Sequence, residues 1–440
     1  MVDAGISAHP REPVWPRIEL GLVLICLVLF SGGLVQRLIA GEQDADGNII
    51  LRLMWLPVYA GVAGLAFTRF QHMARLALRM PVLMALVMLA LVSFFWSIDP
   101  ALSLRRGVAA AATTAFALYL VVRYDGIALL QIIGGVWFAL AFVNFAAGLV
   151  APGFAHMHEI HAGAWRGFWF EKNSLGGQMA RAAMVLAVLI LVDVPRRRLW
   201  TGGLVLAGLL VILSTSATAL LALLIALGVT AAGAWMQRGP AHAVIVAWIG
   251  ASLAGALLLI LLTAPGLVLG LLGKDPTLTG RTEIWSALQG NIAERPWLGY
   301  GYDAFWAPDS VPAHWVRVAV KWEAPSAHHG WLDLCLSLGV VGLVGFTLQF
   351  ALTAWRAAGN FLSHPFAIFA VGYLAQFLLF TSSESLILAS NHMAWIFYVI
   401  VAASLAKGLG DGGRGEPRRA PAASGLRIER SDSFTWRGPG

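Results

Sequence analysis

HHGWLDLCLSLGVVGLVGFTLQFALTAW, residues 328–355, places two histidines at the mouth of a long, almost uncharged apolar run. About 20 mostly apolar residues carry a helix across the hydrocarbon core of a bilayer, so this run reads as a membrane helix. Working outward, comparable runs recur near 18–36, 51–67, 80–97, 107–122, 127–151, 174–193, 199–214, 217–236, 242–263, 365–382 and 389–406. The 440-residue chain is 59% hydrophobic and 12% charged, against about 25% charged in ordinary soluble domains. The pattern predicts an all-α polytopic membrane protein with about twelve transmembrane helices. The first run has no A-x-A-like cleavage site and further spans follow it, so it reads as a span and not as a signal peptide.

Lys and Arg resist translocation, which sets the orientation. With the N-terminus inside, the cytoplasmic segments collect Arg11, Arg17, Arg69, Arg75, Arg79, Arg123, Arg196, Arg197, Arg198, Arg238 and Arg356. The tail adds Lys407, Arg414, Arg418, Arg419, Arg427, Arg430 and Arg437, so 18 of the 30 basic residues fall on one side. The net charge of +7 then reflects topology and attraction to anionic headgroups. No basic patch interleaved with aromatics points to nucleic acid. Cys26 and Cys335 lie in separate apolar runs, as small core residues do, and suggest no disulfide.

The remaining cations sit mostly in a few outer loops. Residues 264–328 form the longest, carrying Trp285, Trp297, Trp306, Trp315 and Trp322; a loop of that length in a compact domain is usually functional. Within it TEIWSALQGNIAE (282–294) predicts a short amphipathic helix, with Ile284, Trp285, Leu288 and Ile292 near one face. Thr282 is the expected cap and Pro296 the stop, with the helix lying along the membrane or against the bundle. A second outer segment, residues 152–173, is polar and aromatic and runs straight into a helix starting NSLGGQMA. From Gly408 the chain is rich in Gly, Arg, Pro and Ser and reads as a disordered cytoplasmic tail. The expected organisation is one transmembrane domain over 1–407, containing the 264–328 loop, followed by the tail at 408–440.

Three outer segments carry residues suited to chemistry. His328 and His329 open a helix, where an imidazole's pKa is lowered and its neutral, proton-accepting form favoured; ordinary interfacial polarity is the bland alternative. Arg281 also stands at a helix start, where a cation works against the macrodipole unless an anion lies nearby. A planar guanidinium there suits a phosphate or pyrophosphate, although pairing with Glu283 is a competing reading. Gly299 and Gly301, set between Tyr300 and Tyr302, follow no strand and so make no nucleotide fingerprint; they let the backbone turn tightly. In WRGFWFEKNSLG (165–176), Arg166 and Lys172 flank an aromatic run that fits either a lipid phosphate and a sugar face or an aromatic belt with snorkelling cations. Asn173 or Ser174 is placed to cap the next helix. Arg181 lies about two turns into that apolar helix, where arginine is costly and usually faces the bundle interior or a water-filled cavity.

Metal-like patterns are weak. HMHEIH (156–161) offers His156, His158, Glu159 and His161 but neither HExxH nor a helical i, i+4 pair. Asp44 and Asp46 in DADGN suggest the start of an EF-hand loop, yet position twelve would be Trp55 where Glu is required. They read as a solvated turn, and no metal or other cofactor is expected. GxSxG, Walker A and CxxC motifs are all missing, which leaves ATP-driven chemistry and soluble-type serine hydrolysis without support. Acidic residues within the spans are few, and Glu384, in TSSES, stands between two of them; this argues against a secondary transporter.

Taken together and in order, these segments resemble the O-antigen ligase and polysaccharide polymerase superfamily of bacterial inner membranes. The family's glycine-arginine-Thr/Ser-x-x-Trp element and following Pro-x-x-Gly-x-Gly are matched by Gly280, Arg281, Thr282, Trp285, Pro296, Gly299 and Gly301. Its histidine, with Gly-x-x-Gly eleven residues on, is matched by His328, Gly339 and Gly342. RGFWFEKNSLGGQMA resembles the arginine-glycine to lysine-asparagine segment of one branch, found among exopolysaccharide polymerases. The likeness runs from about residue 80 to 400. Two positions depart from the pattern: His329 replaces the usual asparagine, and Ser216-Ala217-Thr218 stands where many members carry Ser-Arg.

The resemblance implies a GT-C-like integral-membrane glycosyltransferase that uses no nucleotide sugar. Its donor would be a glycan on undecaprenyl pyrophosphate, and its acceptor the lipid A core oligosaccharide or a second glycan, with the site facing the periplasm. His328 would act as general base and Arg281 would stabilise the departing pyrophosphate, giving inversion without a metal. Arg166, Lys172, Asn173, Arg181, His329 and Tyr300 make up the expected substrate-binding set. O-antigen ligase is the first reading. A polymerase sharing the donor is the second, and a lipid-linked glycan transporter is the alternative from another class.

Overall fold

The computed structural model describes residues 14–40, 49–158, 161–263 and 281–409. Asp44, Asp46, Glu159, Gly280 and the tail from residue 410 lie outside them. In chain order the helices are α1 (Val14–Phe30), α2 (Leu34–Ala40), α3 (Ile49–Thr68), α4 (Phe70–Leu78), α5 (Pro81–Val92), α6 (Pro100–Arg123), α7 (Gly126–Val150) and α8 (Pro152–Ala155). They continue with α9 (Lys172–Val192), α10 (Arg197–Leu213), α11 (Ala217–Met236), α12 (Pro240–Thr263), α13 (Arg281–Glu294), α14 (Val311–Val320), α15 (Gly330–Asn360), α16 (Pro365–Thr381) and α17 (Met393–Lys407). Every apolar run read from the sequence is helical.

The expected count of twelve spans is not reached on length and composition. Among the described residues, α3, α6, α7, α9, α11 and α15 are long and apolar enough to cross a membrane. The pair α4 and α5, bent by 104°, makes a seventh candidate. A hydropathy window runs across breaks that the backbone makes. The run at 18–36 is divided between α1 and α2 at Ser31–Gly33, and Pro81 opens a new helix at the sharp bend because it cannot continue the preceding one.

Helix α9 is the most enclosed of the spans, with 83% of its apolar window buried, and it packs against α7, α10, α11 and α16. Small residues permit this. A Cβ on Gly176 would lie 2.6 Å from Ser214 Oγ and 2.7 Å from Ala219 Cβ, the close backbone approach typical of helices packed within lipid. Helix α6 is a second hub, touching α3, α5 and α17. Cys26 and Cys335 are buried and unbridged.

Contacts sort the connections into two ends. At one end Arg123 Nε donates to Glu19 Oε1 (2.8 Å), Arg79 Nη1 to the Lys407 carbonyl (3.0 Å) and Gln237 Nε2 to the Phe361 carbonyl (3.0 Å). Arg79, Arg123 and Lys407, three of the cations that the charge count put on one side, take part in the contacts of this end. At the other, the loop end, Trp169 Nε1 donates to the Ser31 carbonyl (3.0 Å), Ile98 N to the Tyr300 carbonyl (3.0 Å) and the Tyr302 hydroxyl to the Leu388 carbonyl (2.6 Å).

The loop end has its own small core of Ile284, Leu288, Tyr300, Phe305, Ala313 and Val316, with Trp285 and Ile292 packed on it. The helix read at 282–294 therefore does present the expected face, and that face lies on this core. The loop is fastened to the bundle by a backbone interlock. Helix α15 is broken at Gly339 (φ 64°, ψ −165°), and the segment Pro296–Gly301 lies in the break. Tyr300 N and Gly301 N donate to the carbonyls of Leu336 (2.7 Å) and Ser337 (3.1 Å), while Val340 N and Val341 N donate to those of Pro296 (2.7 Å) and Trp297 (3.2 Å). Only glycine fits the break, since a Cβ on Gly339 would stand 2.2 Å from the Trp297 carbonyl and its φ is unfavourable for any L side chain.

Gly339→Ala should therefore cost at least ~2 kcal/mol in stability, combining backbone strain with the clash. Gly228→Ala, in a helix interior with open space around it, should be neutral or stabilising by ~0.5–1 kcal/mol. Thermal melting of the purified protein in detergent measures both; equal melting temperatures for the two variants would contradict the interlock.

Candidate active site

Two connected chambers open at the loop end. The larger, about 500 Å³, lies between α3, α6 and α9 and is lined by Leu51, Arg52, Trp55, Leu56, Tyr59, Arg105, Arg106, Gln178 and Arg181. The smaller, about 120 Å³, is more polar and is lined by Glu171, Asn173, Ser174, Arg181, Arg281, Ser383, Glu384 and His392. Ser174, Arg181 and His392 line both.

Each wall has a local cause. The 152–171 segment is held down by Arg37, which is 1% exposed. Its Nη1 donates to the Gly167 carbonyl (2.6 Å), its Nη2 to the Phe154 carbonyl (2.7 Å), and its guanidinium lies 4.0 Å from the centre of the Phe154 ring. Gly167 turns with φ +58° over Asn144, whose Oδ1 accepts from Phe168 N at 2.8 Å. That turn delivers the chain to α9. The helix begins at Lys172 with Glu171 as N-cap, two or three residues before the expected cap, so Asn173 lies inside the first turn and lines the smaller chamber. Helix α13 is already helical at Arg281, so Thr282 belongs to its first turn and is not its cap.

Arg181 is 4% exposed, its guanidinium lies 5.1 Å from the Phe380 ring centre, and its Nε has no hydrogen-bond partner among the described residues. A buried guanidinium so placed is costly unless an anion reaches it. Arg281 faces it across the smaller chamber. Glu384, in the loop between α16 and α17, is enclosed there, and burial pushes its carboxyl up to about 7 against the opposing pull of Arg281.

His328 and His329 stand beside this chamber and are not among its lining residues. Burial first, then the Arg281 guanidinium, holds both imidazoles below their ordinary value. His328 has a left-handed backbone (φ +48°) and stacks on Trp322 with ring centres 6.0 Å apart. His329 meets Trp285 edge-on at 5.2 Å. The Nδ1 atoms of both are buried with no hydrogen-bond partner among the described residues.

The six expected substrate contacts thus divide. Arg181 and Asn173 line the chambers together with Arg281. Lys172 reaches the Thr215 carbonyl (3.4 Å) and hydroxyl (3.3 Å) at the rim. Arg166 is 8% exposed and lines neither chamber. Tyr300 is part of the loop core: its hydroxyl donates to the Asn291 carbonyl (3.0 Å), it also contacts Glu294 Oε2 (3.1 Å), and Arg295 stacks on its ring at 4.9 Å. Arg52, Arg105, Arg106 and His392 were not singled out from the sequence, although Arg52, Arg105 and Arg106 stand on the side where the charge count leaves few cations. Among the described residues no group of three His, Cys, Asp or Glu is clustered for a metal. His158 Nε2 instead contacts the Gly153 carbonyl (2.6 Å), and His156 packs on Trp165.

Residues 202–347 match the family model described as O-antigen ligase. The exopolysaccharide production protein ExoQ of Rhizobium meliloti (strain 1021) is 28% identical over 278 residues, which is 60% of this chain and 62% of that protein, so the match spans under two thirds of the relative's length. The matched region contains Arg281, His328 and the interlocked segments around Gly299 and Gly339. Over residues 202–347 this all-helical, polytopic membrane protein is thus similar to the O-antigen ligase family, and it shares 28% identity with one exopolysaccharide production protein.

Proposed function

We propose that the chain transfers a glycan from undecaprenyl pyrophosphate to a hydroxyl acceptor, on the periplasmic face of the bacterial inner membrane, with both termini cytoplasmic. The observation that carries this reading is the buried Arg181 guanidinium, whose Nε has no partner among the described residues, in a chamber shared with Arg281. Two arginines converging on an enclosed polar space suit a leaving pyrophosphate, whose developing charge they would stabilise without a metal. The larger chamber, walled by Leu51, Trp55 and Leu56 beside Arg52, Arg105 and Arg106, suits the join between a diphosphate and its prenyl chain.

In the transfer step the acceptor oxygen attacks the anomeric carbon, the bond to the pyrophosphate oxygen breaks, and the acceptor proton passes to a general base. His328 is the first choice for that base, because burial and Arg281 favour its neutral form and its Nδ1 has no partner among the described residues. Direct attack inverts the anomeric centre. Glu384 provides a second reading of the base, since it lines the chamber itself.

The lipid A core is the first choice of acceptor, in line with the O-antigen ligase family model. Polymerisation onto a second lipid-linked glycan is the other reading, favoured by the likeness to an exopolysaccharide production protein. Purified protein incubated with lipid-linked glycan and either acceptor separates them: ligated lipopolysaccharide supports the first, longer lipid-linked glycan the second. Turnover should persist with chelator present, and its abolition would count against the metal-free mechanism.

His328→Ala should lower kcat by about 10²–10⁴-fold, whereas a lipid-linked glycan transporter would keep its flux in that variant. Arg281→Lys should lose about 10–100-fold, because a point charge cannot replace a bidentate fork; full activity there would exclude bidentate phosphate binding. The pH profile of kcat/KM distinguishes the two bases. A base works deprotonated, so with His328 the activity should be lost only as pH falls below about 6.5. With Glu384 the loss should be centred near its value of about 7.

A further inference from the structure

Asp333, in the first turn of α15, takes no part in the chambers, yet its carboxylate gathers hydrogen bonds from three separate segments. Oδ1 accepts from Trp306 Nε1 at 2.7 Å and from Ala327 N at 3.1 Å. Oδ2 accepts from Ala327 N at 3.2 Å and from the Ser385 hydroxyl. Ala327 immediately precedes His328, and Ser385 immediately follows Glu384. The same turn is gripped from its other side, since Trp285 Nε1 donates to the Ala327 carbonyl at 2.9 Å. The Glu384 loop lies directly on the helix start, where a Cβ on Gly330 would stand 3.0 Å from the Glu384 carbonyl.

These bonds explain how His328 keeps a left-handed backbone. A non-glycine residue at φ +48° is strained and persists only where its surroundings over-determine it. The bond from His328 N to Ser326 Oγ (3.1 Å) is local, so the tether to the rest of the protein is the Asp333 carboxylate on one flank and Trp285 on the other.

We propose that Asp333 is a positioning residue for the transfer, clamping the His328 turn and the Glu384 loop into one register at the mouth of the smaller chamber. The assignment rests on the reading of that chamber as the transfer site. It does not depend on which of the two groups takes the proton, because Asp333 holds both segments. Its effect runs through the backbone of Ala327 and the hydroxyl of Ser385 and involves no contact with substrate.

The test uses the full-length protein in proteoliposomes, comparing Asp333→Ala, the isosteric Asp333→Asn and the wild type. Carbethoxylation of His328 by diethyl pyrocarbonate, followed by mass spectrometry with His158 as internal reference, reports the turn independently of activity. In Asp333→Ala the His328 reaction rate should rise at least threefold and kcat should fall about 10²-fold, as expected for a reacting group displaced by about 1 Å. KM for the lipid-linked donor should stay within threefold, since Arg181 and Arg281 sit on other helices. Asp333→Asn, which retains one acceptor oxygen, should recover part of the loss. An unchanged His328 reaction rate in Asp333→Ala overturns the assignment whatever the activity does, and so does a kcat loss matched by an equal rise in KM and a lowered melting temperature. If His328→Ala retains full activity, the choice of base fails, and the footprint still decides the role of Asp333.

Discussion

The interlock between Pro296–Gly301 and the break at Gly339 is the constraint on which the loop end depends. A long loop closing over a membrane bundle gains little from burial against lipid-facing helices, so its position must be fixed by directional bonds. Here four backbone hydrogen bonds pass between the loop and the two halves of α15. Breaking a helix leaves backbone donors and acceptors that must be satisfied within the bilayer or at its edge, and the inserted segment supplies them. Glycines at 299, 301 and 339 give positive φ and the clearance for one backbone to pass through another: a Cβ on Gly301 would fall 2.4 Å from Ser97 Cβ. With this segment fixed, α13 and the His328 turn are brought to the same end of α15.

Charge explains the next layer of organisation. Cations at the opposite end can be solvated by water and headgroups, while those at the loop end are drawn inward. Arg37 donates to carbonyls through both terminal nitrogens and lies on a ring face, which makes it a structural peg for the 152–171 segment. Arg106 reaches Asp303 at 3.3 Å. Arg181, whose Nε has no hydrogen-bond partner among the described residues, lines both chambers instead. One residue type therefore divides into anchors, whose terminal nitrogens bond carbonyls or a carboxylate, and an anion-binding candidate that lines the cavity.

Much of this was legible in the sequence because it depends on periodicity and on residue types that are expensive where they stand. Each apolar run became a helix, Arg181 announced itself by its cost in an apolar segment, and the face of 282–294 was read correctly as Ile284, Trp285, Leu288 and Ile292. The span count was less legible, since a proline bend of 104° and the Ser31–Gly33 break are backbone events that hydropathy averages away. Tyr300, expected among the substrate contacts, packs in the loop core with its hydroxyl on the Asn291 carbonyl, while Gly299 and Gly301 beside it belong to the interlock. Arg52, Arg105 and Arg106 left a signal in the side that they occupy, but only the packing of α3 on α6 brings them to one chamber. Asp333 was hidden for a further reason: an acidic residue in the first turn of a helix is ordinary, and nothing local tells that its oxygens bind residues 306, 327 and 385.

The position of Arg281 links leaving-group binding to proton transfer on the transferase reading. Its charge pulls the pKa of His328, His329 and Glu384 down alike, so in the free site it favours the deprotonated form of each. A bound pyrophosphate brings negative charge against the same guanidinium and offsets its field at the neighbouring groups. The imidazole of His328 would then become more basic just as the donor arrives, which favours removal of the acceptor proton only when a leaving group is in place. Glu384 would respond in the same direction but from a higher starting value, and so would pass toward its protonated form near pH 7. On that reading an occupied site would favour His328 as the proton acceptor, with Glu384 better suited to donating a hydrogen bond to the substrate. That division of roles follows from one cation acting on two groups whose burial has moved them in opposite directions from their ordinary values.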